Sequence, residues 1–122
     1  MEDSILKSTK KVLGLDEGYT HFDLDVLTHI NTAFYTLHQM GIGPDEGFHV
    51  DDETATWSSY TLMAGSEPSI AGVRTYIYLK VRMLFDPPQT SFLIASMEKQ
   101  IAEHEWRLNV SRENVLPEEV TT

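Results

Sequence analysis

His21, Asp25 and His29 recur at steps of four. That spacing lays side chains along one face of a helix, where neighbouring ligand-type groups could share a cation. The same residue types also arise by chance on a solvated acidic face, and we adopt that reading. The loop Asp45-Glu46-Gly47-Phe48-His49-Val50-Asp51-Asp52-Glu53 is rich in carboxylates. It lacks the alternating oxygen ligands and the closing Glu of an EF-hand, so no calcium site is assigned to it. Asp51 or Asp52 is instead expected to cap the helix that follows. Glu103 and Glu105 could form an acid/base pair, but residues two apart on a helix point in different directions, which makes them surface charges. The sequence contains no Gly-Lys-Ser/Thr phosphate loop, no Gly-x-Ser-x-Gly elbow, no His-Glu-x-x-His and no cysteine. No catalytic residue, metal site or cofactor is expected, and the chain is not read as an enzyme.

Charge is the more informative property. No Lys or Arg occurs between Lys11 and Arg74, while that stretch carries Asp16, Glu17, Asp23, Asp25, Asp45, Glu46, Asp51, Asp52, Glu53 and Glu67. Those acids account for the whole formal net charge of −10, because the remaining acids and bases balance. A one-sided field of this kind repels polyanions and favours a cationic partner. Arg74, Lys80 and Arg82, interleaved with Tyr76 and Tyr78, are too few to make a nucleic-acid stripe on so acidic a chain. They are better placed at acidic contacts within or between subunits. Trp106 lies to one side of its helix's apolar face and is the stronger interface candidate of the two tryptophans.

The elements that position these groups are helical. At 122 residues and 41% apolar content the chain suits one domain with a real core rather than an acidic disordered tail. Ile5, Leu6, Val12 and Leu13 mark a first helix, with Ser4 as cap and Gly14 as stop. Phe22, Val26, Ile30, Ala33, Leu37 and Met40 form one apolar face after a Thr20/Asp23 capping box. Gly41, Gly43, Pro44 and Gly47 then break regular structure, with a short extended pairing around Phe48 to Val50, before a short helix bearing Trp57, Tyr60 and Ala64. In the next helix Pro68 falls in the first turn, Ile70, Val73, Ile77, Val81 and Leu84 line one face, and Asp86-Pro87-Pro88 ends it. The last helix, from about Thr90 to Asn109, turns Phe92, Leu93, Met97, Ile101, His104 and Leu108 inward and packs antiparallel on its predecessor. The fold class is therefore all-α, a small bundle of about four to five helices with a Gly/Pro-rich acidic loop. Residues 1–109 form the helical domain and 110–122 an extended C-terminal tail, frayed or ordered by a partner. The start MEDSILKSTKK has no apolar run of signal-peptide length, and no stretch is long enough to cross a bilayer, so a non-secreted protein without a membrane partner is expected.

The segments GPDEGFHVDDETATW, TYIYLKVRMLFDPP and EWRLNV, in this order and at these separations, resemble the head-tail connector (adaptor) proteins of long-tailed bacteriophages. The resemblance covers almost the whole chain, and TYIYLKVRMLFDPP is its most specific part. It implies a non-enzymatic virion protein at the neck, present in the host cytoplasm during assembly. It further implies a homo-oligomeric ring matching the twelvefold portal protein above, with a stopper or other neck or tail protein below. DNA passes through such a ring without specific binding. On this reading Asp45, Glu46, Asp51, Asp52 and Glu53 face the channel, and Arg74, Lys80, Arg82 and Trp106 lie at the subunit interface. Val110, Val115, Leu116 and Val120 dock the tail on the portal. The rival from another class is a free acidic helical regulator that mimics DNA on a basic partner protein.

Overall fold

The computed structural model describes residues 3–64 and 70–120, with side chains through Val110. Among the described residues are five helices and no strand: α1 (Ile5–Val12), α2 (Asp23–Gln39), α3 (Trp57–Ala64), α4 (Ile70–Phe85) and α5 (Ser91–Val120). The centre is α4, which packs against both α2 and α5, while α1 lies across α2 and α4. Pro68 falls outside the described residues.

The core follows the apolar periodicity of the sequence. Val26, Ile30 and Leu37 from α2 meet Val73, Tyr76, Ile77 and Val81 from α4, with Ile5 and Trp57 closing one end. Ser4 caps α1 by accepting from the Lys7 amide at 3.2 Å. α2 ends in a Schellman motif: the Gly41 amide donates to the His38 carbonyl and the Ile42 amide to the Leu37 carbonyl, each at 2.9 Å. Gly41 sits at φ +82°, which L side chains rarely adopt. The α4–α5 hairpin is antiparallel, since Tyr76 reaches Glu105 while Gly72, a turn earlier, approaches Leu108.

Several expectations are corrected. Thr20 and Asp23 do not form a capping box: α2 begins at Asp23 behind Phe22, without a side-chain cap, because the Asp23 carboxylate turns to Lys10 at 2.8 Å. Neither Asp51 nor Asp52 caps α3. Thr56 does so, its hydroxyl accepting from the Ser59 amide at 3.0 Å. Residues 48–50 pair with no strand; the isolated bridge joins Ser4 and Thr56 instead. Leu84, Phe92 and Leu93 are exposed rather than inward. The hairpin register explains the last two, since it sets the first turn of α5 opposite the 86–90 connection, past the end of α4. The backbone of 110–120 continues α5 where an extended tail was expected. Residues 110–116 contain no Gly or Pro, and Arg112, Glu113 and Leu116 are good helix formers; helix propensity does not account for the continuation through Pro117.

Candidate assembly surfaces

The acidic elbow between α2 and α3 has almost no regular structure, yet it is fastened throughout. Ile42 and Val50 are buried in the core, and Phe48 packs on Phe34 and Tyr60 at centroid distances of 5.2 and 5.1 Å. Asn31 grips Val50 from α2, accepting from its amide at 2.7 Å and donating to its carbonyl at 2.9 Å. Gly43 is required where it stands: at φ +98°, a Cβ there would meet the Tyr60 hydroxyl at 2.9 Å. The far end is sewn to the start of the chain. Ser4 donates to the Glu53 carbonyl at 2.7 Å, the Ile5 amide to the Ala55 carbonyl at 3.0 Å, and the Trp57 amide to the Asp3 carbonyl at 2.9 Å.

With its apolar residues turned in, the elbow holds its acids out. Asp45, Glu46, Asp51, Asp52 and Glu53 are all exposed. Among the described residues none pairs with a Lys or Arg, and His49, 3.1 Å from Asp51, is the nearest counter-group. Asp52 accepts from the hydroxyl and amide of Thr54, which hold its carboxyl below the usual carboxylate value. The structure thus gathers the five channel candidates on one pinned loop.

The candidate interface cations make contacts within the chain. Arg74 lies over the Trp57 ring at 5.1 Å and donates to the Tyr78 hydroxyl at 3.1 Å. Lys80 stands 4.0 Å from Glu105, which also accepts from the Tyr76 hydroxyl at 2.9 Å. Glu105 is therefore no free surface charge, while Glu103 is a surface charge paired with Arg107 at 2.7 Å. Burial, then the Glu105 hydrogen bond, pushes the Tyr76 hydroxyl well above its ordinary value. Arg82 donates to the Asp86 carbonyl at 2.8 Å and closes the C-terminal end of α4. Trp106 is 65% exposed. Val110 is half-buried, and Val115, Leu116 and Val120 lie on the backbone of α5 with side chains outside the described residues. His21 packs on Phe22 and His29 on Phe85, while Asp25 faces solvent.

Two features were missed in the sequence. Lys10 is buried, bound to the Asp23 carboxylate and to the Glu17 carbonyl at 3.1 Å, so it ties α1 to the start of α2. Its position, four after Leu6 and three before Leu13 on an apolar face, was the available signal. The Asn31 clamp had none, because its partner is a backbone nineteen residues away.

What this small helical bundle displays is surface: an acidic loop tied to the core, and large exposed apolar side chains such as Leu24, Leu62, Phe92 and Trp106. These are features of a structural protein that works by assembly. The chain matches the phage connector protein family over residues 5–115, and it belongs to that family. The family is structural rather than enzymatic, so the protein is a phage connector-type structural protein. No curated protein and no solved structure shows a significant match. Among the described residues no helix is long and apolar enough to cross a membrane.

Proposed function

We propose that the protein assembles as a ring beneath the portal, twelvefold to match it, joining the DNA-filled capsid to the neck and lining part of the DNA channel. The observation that carries this reading is the elbow: five exposed carboxylates, without a Lys or Arg partner among the described residues, on a loop held at both ends by the core. DNA carries a phosphate charge about every 1.7 Å of its axis, so a channel wall must avoid gripping it. Fixed acids at the wall do so by repulsion. The C-terminal end of α5, with Val115, Leu116 and Val120, is the portal-docking segment.

Replacing Asp45, Glu46, Asp51, Asp52 and Glu53 together by Lys should slow DNA ejection from assembled particles. Normal ejection would remove the channel role. Deleting residues after Asn109 should abolish binding to the portal from the same genome while the truncated protein remains folded, because Ile101 and Leu108 keep their places in the core. Retained portal binding would refute the docking role.

A further inference from the structure

The outer face of α2 carries little charge. Leu24, Thr28, Thr32 and Tyr35 follow one another at steps of four, four and three, and all are exposed. In a chain of net charge −10, an exposed helix would ordinarily place charged residues along that line. The threonine hydroxyls are also used up internally. Thr28 donates to the Leu24 carbonyl and Thr32 to the Thr28 carbonyl, each at 2.9 Å, and the adjacent Thr36 donates to the Thr32 carbonyl at 3.2 Å. A second helix can approach the threonines without stranding their hydroxyl donors, a cost that burial would otherwise impose.

The outer face of α5 is its counterpart. Phe92, Ala95, Lys99, Ala102 and Trp106 recur at steps of three and four and are exposed, so two aromatic rings flank two alanines and Lys99, with Glu98 and Glu103 at the edges. Glu103 beside them is neutralised by Arg107. Lys99 forms no ion pair among the described residues, and neither does Asp25, next to Leu24 on α2. The two faces have similar lengths, about 16 Å from Leu24 to Tyr35 and about 21 Å from Phe92 to Trp106 at the helical rise. α2 and α5 each pack on α4, and the two faces lie on different helices.

We infer that the outer face of α5 in one copy docks on the outer face of α2 in the next, with Lys99 paired with Asp25 of the neighbouring copy, one of the rings of Phe92 and Trp106 packed along the threonine stripe and the other beyond the start of α2. Such a contact joins unlike faces, which is the kind that closes into a ring. The inference rests on the ring reading above and names its subunit interface. Arg74, Lys80 and Arg82 lie on α4, outside these two faces.

A charge swap tests the pairing. Asp25→Lys, Lys99→Glu and the double variant are each assembled on the portal, and rings are counted by electron microscopy. Thermal melting monitors the fold, which these exposed positions should leave intact, with a small loss for Asp25→Lys because it sets a cation in the first turn of α2. Each single variant should lower ring yield at least tenfold and the double variant should restore it. Thr32→Arg, which sets a cation in the middle of the stripe, should abolish rings while the monomer stays folded. Rings that survive the single changes and Thr32→Arg, or a double variant no better than the singles, overturn the pairing. A wild-type protein that forms no ring on the portal overturns the assembly reading itself, before any variant is compared.

Discussion

The acidic elbow and α5 are opposites in how they hold their shape. The elbow has scarcely any repeating structure, but its backbone is bound by Asn31, by Ser4 and by the start of α1, with Ile42 and Val50 sunk in the core. α5 is thirty residues of continuous helix, yet Phe92, Leu93 and Trp106 stand in solvent. How closely a segment is tied into the fold therefore does not track regular structure. Backbone hydrogen bonds make a helix locally regular, whereas its place in the fold depends on tertiary cover, and the first turn of α5 has little. The elbow is tied down within one chain; α5 leaves large apolar side chains uncovered.

Trp57→Ala should sharpen that contrast most. It removes a buried ring that packs against Phe34, carries Arg74 and donates to Ser8 at 3.0 Å. A loss of about 3–5 kcal/mol in urea unfolding is expected. Asp23→Ala comes next. It leaves the Lys10 ammonium buried beside the Glu17 carbonyl alone, and because Asp23 is itself partly exposed the expected cost is about 3 kcal/mol, at the lower end for a broken buried pair. Asn31→Ala strips both hydrogen bonds from Val50 and should cost about 1–3 kcal/mol, with faster amide exchange confined to the elbow. If exchange rises equally in α5, the elbow is not a separately fastened unit.

The smallest effects belong to α5. Phe92→Ser should change monomer stability by no more than about 0.5 kcal/mol, because the ring is 80% exposed. A larger loss would show that the ring is covered in the monomer. The α4–α5 seam also carries an alkaline limit. Tyr76 keeps its proton in the fold at pH values where the unfolded chain, with an ordinary value of 10.0, has lost it. Its contribution to stability is fully present below that pH and is lost as the pH climbs toward the raised folded value. Urea titrations from pH 9 upward should show the decline, and Tyr76→Phe should flatten it.

Much of the fold was legible because α1, α2 and α4 bury faces that repeat at helical spacing, and Val26, Ile30, Leu37, Val73, Ile77 and Val81 are all in the core. Gly41 marked the end of α2 for a local reason, the positive φ of a Schellman cap. What escaped depended on distant partners. Asp23 was drawn from a capping role by Lys10, Thr56 rather than an aspartate began α3, and Phe92 was apolar in pattern but stranded by the hairpin register. The acidic elbow was visible as composition, though not the anchors that make it a fixed surface. The bases of α4 were visible as well, while their partners Trp57, Tyr78 and Glu105 were set by packing.

The most direct measurement is an electron cryomicroscopy reconstruction of this protein bound to the portal encoded in the same genome. A connector of the proposed kind forms a ring on the portal with Asp45, Glu46, Asp51, Asp52 and Glu53 turned toward the central axis. A folded protein that leaves the portal bare, or a ring whose elbows point outward, would contradict it.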